Sequence, residues 1–127
     1  MTTPALLRLA AMCSASLLPL AVAGQPVGQF ASHGDIGAPA IAGATSYDPL
    51  RQEYRLAAGG INMWGATDQF HAAWNRMRGD FILFARAEFL GQGVDPHRKL
   101  GWIVRSTTDA DSAYADACLH GDGLASL

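Results

Sequence analysis

The sequence predicts an all-β fold. From Asp35 onward glycines recur, prolines fall between apolar runs, and the runs are short and rich in aromatic and branched residues. Several runs alternate apolar with polar side chains, the period of a half-buried strand. A length of 127 residues sets one domain, and 50% apolar residues suffice for a core. With 16% charged residues the chain is no disordered charged tail, and a net charge of −2 argues against an electrostatic nucleic-acid footprint. No internal repeat is visible.

Residues 1–23 read as a secretory signal-peptide helix. Arg8 is its one charged side chain, residues 9–20 are apolar, and Ala21-Val22-Ala23 places small residues before a cleavage point between Ala23 and Gly24. The apolar run falls short of the ~20 residues of a membrane span, so no stable span is expected after cleavage. The expected location is periplasmic or secreted. Cleavage removes Cys13 and leaves Cys118 alone, so no internal disulfide can form; Cys118 reads as a small buried filler.

Residues 24–34 have the composition of a linker. Residues 53–57 form a strand after the Asp48-Pro49 turn. Residues 70–77 are ambiguous. Phe70, Trp74 and Met77 lie at helical spacing behind a capping Asp68, whereas strand alternation groups Phe70, Ala72, Trp74 and Arg76. Their position before the Gly79-Asp80 turn and a long run selects strand. That run, residues 81–89, has the clearest alternation in the chain and predicts the longest strand. Residues 91–98 form a loop, residues 100–105 a strand, and residues 114–120 another strand that ends in a His120-Gly121-Asp122-Gly123 hairpin turn. Few residues follow that turn to answer its first arm, so a longer protein is expected, with residues 35–127 as an incomplete β-sandwich module.

Several motifs together carry a resemblance: Asp35-Ile36-Gly37, Ser46-Tyr47-Asp48, Asn62-Met63-Trp64, Asp68-Gln69-Phe70-His71, Gly79-Asp80-Phe81, the run from Gly93 through Asp95-Pro96-His97-Arg98-Lys99 to Arg105, and His120-Gly121-Asp122-Gly123-Leu124. In this order they resemble the N-terminal module of secreted bacterial TolB-family proteins, labelled biopolymer transporters. That module is similar to concanavalin A-like, laminin-G-like jelly-roll sandwiches. The resemblance covers residues 35–127. It implies a partial jelly-roll sandwich, a downstream β-propeller, and a non-catalytic accessory role in the cell envelope, contacting glycan or a protein partner. The alternative is the start of a concanavalin-fold glycoside hydrolase whose catalytic pair lies beyond Leu127.

Among individual residues, Trp64 sits in a loop and is either a stacking platform for a sugar ring or a core residue; Trp74 and Trp102 fall on strand patterns and read as core. Asp95, His97, Arg98 and Lys99 crowd one loop, either a polar ligand rim or a solvated Asp-Pro turn. Arg105 is a groove residue or the partner of a carboxylate such as Asp116. His120 completes the ligand-binding candidates. His97, His120, Asp95 and Asp122 are the one set that could ligate a metal, but no pair has compact ligand spacing, so no metal site is expected. Asp109-x-Asp111 opens like a calcium loop and then lacks its third ligand and its glycine. No nucleophile elbow, Cys–His pair or phosphate-binding Gly-Lys motif occurs, and Asp80 and Glu88 lie about 26 Å apart along a strand, too far for paired-carboxylate chemistry. The expectation is a protein that is not an enzyme and needs no cofactor.

Overall fold

The structure, a computed structural model, describes residues 24–127. The predicted signal segment, residues 1–23, lies outside them. The described chain is all-β. Its seven strands are β1 (Ser32–Ile36), β2 (Ala44–Asp48), β3 (Glu53–Ala57), β4 (Phe70–Trp74), β5 (Lys99–Arg105), β6 (Tyr114–His120) and β7 (Ala125–Ser126). They form three antiparallel sheets, β1-β4, β2-β3 and β5-β6-β7. Among the described residues no helix is long and apolar enough to cross a membrane.

The β2-β3 hairpin forms where polar and aromatic side chains alternate. Tyr47 and Tyr54 face one another across it with ring centroids 4.4 Å apart, and Phe30 meets the Tyr54 ring edge-on at 5.1 Å. Asp48 holds the connection, accepting the amides of Leu50 and Arg51 at 2.9 and 3.2 Å. Sheet β1-β4 packs against this hairpin and meets β5 through the Phe70 and Arg105 side chains. One of its faces carries Asp35 and His71 toward β2; the other carries Ile36 and Phe70, and Phe70 lies under the Arg105 guanidinium at 5.3 Å.

In the third sheet the register pairs Lys99 with His120, Gly101 with Cys118, Ile103 with Asp116 and Arg105 with Tyr114. These residues share one face, which the loop between β3 and β4 covers. Met63 of that loop is buried, and its carbonyl accepts the Tyr114 hydroxyl. The opposite face carries Leu100, Trp102, Val104, Ala115, Ala117 and Leu119, and most of it meets solvent. The core is accordingly small: Ile36, Met63 and Cys118 are its buried hydrophobic residues.

The strands at 100–105 and 114–120 are where the alternation puts them, and the strand at 53–57 follows the Asp48-Pro49 turn as expected. The strand over 70–77 ends at Trp74. The sequence reading needs correction at four points. Ser32, His33 and Gly34, assigned by composition to a linker, belong to β1, where Gly34 and Ala72 lie directly opposite one another. β2 has no counterpart in the sequence reading, because Ala44, Thr45 and Ser46 show no apolar alternation. Residues 81–89 form no strand, although their alternation is the strongest in the chain. No described segment pairs with them, and without a ladder an extended run is not a strand. Trp74 and Trp102, read as core, are half-buried.

Candidate functional site

Two turns meet at the end of the β5-β6 hairpin. In the first, the Asp95 carboxylate accepts the His97 amide at 2.7 Å and its carbonyl accepts the Arg98 amide at 3.2 Å, the local bonding that makes Asp-Pro a turn signal. In the second, the His120 carbonyl accepts the Gly123 amide at 3.0 Å, and Asp122 Oδ1 accepts the Leu124 amide at 3.0 Å. Two backbone bonds lace the turns together: Gly121 N–H to the Arg98 carbonyl and Asp122 N–H to the Pro96 carbonyl, both 2.9 Å. Glycine at 121 permits this approach. A Cβ there would stand 2.8 Å from Arg98 side-chain atoms and 3.0 Å from the Pro96 carbonyl oxygen.

The lacing gathers polar side chains from distant sequence. His97 Nδ1 lies 3.6 Å from Asp122 Oδ2, and the His97 and His120 rings stand perpendicular at 6.0 Å. The Leu124 amide holds the Asp122 carboxyl below the usual carboxylate range, and the nearby His97 and His120 add to the effect. His120 is 9% exposed; its Nε2 lies 3.3 Å from Ser126 Oγ. Arg98 stacks on the Phe89 ring at 4.4 Å and donates to the Gly91 carbonyl at 2.8 Å.

Lys99 joins this junction to the Trp64 loop. Its ammonium donates to the His97 carbonyl at 3.3 Å and to Asn62 Oδ1 at 3.1 Å. Buried Met63 pins the loop beside Asn62, and the next residue, Trp64, is 84% exposed. The indole therefore projects from an anchored backbone.

Of the residues singled out in the sequence, Asp95, His97, Arg98 and His120 converge here, and Trp64 lies on the loop that Asn62 ties to Lys99. Arg105 is elsewhere, at the far end of β5. It pairs with Asp68, not Asp116: Nη1 donates to Asp68 Oδ2 at 2.5 Å, Nη2 to the Asp109 carbonyl at 2.6 Å, and Nε to the Thr107 carbonyl at 3.4 Å. The side chains of Arg105 and Asp68 are 8% and 3% exposed. Asp116 instead accepts the Cys118 thiol at 3.3 Å.

Burial, together with the bond to Asp116, pushes the Cys118 thiol up to about 11. The folded value stands above the ordinary 9.0, so the thiol form predominates at neutral pH, and its stabilisation fades as pH rises through the window from 9 to about 11. Two pH units mean about a hundredfold less thiolate than an ordinary cysteine carries. We expect iodoacetamide to alkylate native Cys118 at least a hundredfold more slowly than the urea-unfolded chain at pH 8. Equal rates would contradict this placement.

A second polar cluster escaped the sequence reading. His71 Nδ1 donates to Asp35 Oδ1 at 2.7 Å, and His71 Nε2 lies 2.8 Å from Thr45 Oγ1. Asp35 also accepts the Gly43 amide on both oxygens at 3.1 Å. A Cβ at Gly43 would fall 2.3 Å from the His71 ring, so glycine is required there too. The order hydroxyl–imidazole–carboxylate is that of an activated nucleophile. Here the His71 side chain is 3% exposed, and its bonds join β1, β4 and β2, so it acts as a tie between sheets.

The β5-β6 junction offers directional hydrogen-bonding groups and two imidazoles with a carboxylate, and the loop tied to Lys99 offers an exposed indole; compared with protein-family models, curated proteins and solved structures, the chain matches none.

Proposed function

We propose that this chain is a non-catalytic binding module of an exported cell-envelope protein and that it takes a glycan. The observation that carries the reading is Trp64. A large aromatic ring 84% exposed on a loop pinned by a buried neighbour gives away its own burial energy, and a flat apolar ring face is what a sugar stacks on. Asp95, His97 and Arg98, at the junction that Lys99 links to the Trp64 loop, supply hydrogen bonds for hydroxyl groups. Export rests on the signal pattern of residues 1–23. The concanavalin A-like jelly roll and the TolB-family origin, with its following β-propeller, rest on the motif resemblance and complete the same proposal.

The test is a glycan array with the signal-free chain, followed by calorimetry on any sugar retained. Trp64→Ala should weaken binding about thirtyfold, as expected for truncating an aromatic anchor worth ~2 kcal/mol. Equal affinity of wild type and variant, or no retained glycan, would overturn the reading.

A further inference from the structure

The two laced turns bring three metal-ligating side chains into one place. One ring nitrogen each from His97 and His120 and one carboxylate oxygen from Asp122 all lie within 4.8 Å of one another. Sequence spacing hides the group, because backbone bonds between turns, not a helix or a short motif, assemble it.

An independent observation points to a ligand. His120 Nδ1 is buried and has no hydrogen-bond partner, although its ring is nine-tenths enclosed. A buried imidazole nitrogen left unpaired is destabilising, and a bond to a cation would satisfy it. The other nitrogen, Nε2, is near Ser126 Oγ, which matches the outer hydrogen bond that usually orients a ligating histidine. Asp122 Oδ1 is engaged by the Leu124 amide, and Oδ2 faces His97. The neighbouring cations are engaged by other groups: Lys99 donates to Asn62 and the His97 carbonyl, and Arg98, packed against Gly121, donates to the Gly91 carbonyl.

We infer that His97, His120 and Asp122 form a binding site for one divalent first-row transition ion. Two imidazoles and one carboxylate suit zinc, with a fourth position open to solvent. The present spread exceeds the ~3.3 Å ligand–ligand edge of a tetrahedral zinc site. His97, whose side chain is 68% exposed, is free to rotate and close it, while His120 and Asp122 are held by the hairpin. The inference goes beyond glycan recognition and does not depend on it.

The experiment titrates the metal-stripped chain with zinc alone, by calorimetry and by competition with a chromophoric chelator, and records the visible spectrum of the cobalt(II) form. One equivalent of zinc should bind and raise Tm. His97→Ala and Asp122→Asn, both at exposed positions, should each weaken binding at least tenfold. Trp64→Ala should leave zinc affinity unchanged, which separates this site from the glycan reading. His120→Ala should abolish binding, and far-ultraviolet circular dichroism checks that it folds. Absence of a one-to-one zinc isotherm, or wild-type affinity in His97→Ala, would overturn the inference.

Discussion

Asp68→Ala should destabilise the protein by about 3–5 kcal/mol, the cost of leaving a buried charge without its partner. The Arg105 guanidinium sits between the Phe70 and Tyr114 rings, 5.3 and 5.5 Å from their centroids, and its side chain is 8% exposed. With Asp68 gone, its remaining acceptors are the neutral carbonyls of Thr107 and Asp109. The Asp68 amide also bonds the Ala110 carbonyl at 2.8 Å, so the residue ties the β4 sheet to the β5-β6 connection twice. Urea denaturation would show a lower midpoint at similar slope. Asp68→Ala combined with Arg105→Met should recover more than half of the loss, because it removes the stranded charge along with its partner. A loss below 1 kcal/mol for the single variant would mean that water reaches the guanidinium.

His71→Ala should cost about 2–3 kcal/mol, since it strands the Thr45 hydroxyl and the Asp35 carboxylate and opens a hole beside Gly43. The same cluster makes stability depend on acid. Burial acts to raise the Asp35 pKa, but the bond from His71, the Gly43 amide and the nearness of the imidazole together outweigh it, and the carboxyl is held below its ordinary 3.8. A folded value below the unfolded one gives stabilisation that is full above about pH 3.8 and lost as pH falls through the folded value. Wild type should therefore show a steep loss of stability below that pH, and His71→Ala a shallower one. Denaturation midpoints measured from pH 2 to 7 decide it; parallel acid limbs would show that the pair contributes nothing specific.

Much of the fold was legible where apolar alternation and turn residues agree. Leu100–Arg105 and Tyr114–His120 each combine a two-residue period with flanking glycine, proline or aspartate, and Glu53–Ala57 follows the Asp48-Pro49 turn. β1 and β2 were not legible, since serine, histidine, glycine, alanine and threonine carry little hydrophobic contrast, and their pairing is fixed by partners distant in sequence. Residues 81–89 show the converse: contrast without a partner. The candidate site divides the same way. The Asp-Pro turn and the His-Gly-Asp-Gly turn each had a local signal, so Asp95, His97 and His120 were visible. Their meeting depends on two backbone bonds that no spacing rule encodes, and Asp122 entered the sequence reading as a turn residue and in a metal set that spacing rejected. Arg105 invited a cross-strand partner on β6, whereas its carboxylate comes from the approach to β4. A buried arginine needs some acid, but sequence does not say which.

The unpaired run from Phe81 to Leu90 has one more consequence. Ile82 and Phe84 stand 95% and 92% exposed, and the backbone there must bond to water. With no ladder to break, its local opening free energy lies below that of the laced β5-β6 hairpin. Rigidity among the described residues is thus distributed unevenly, and a strongly apolar stretch is left without cooperative protection.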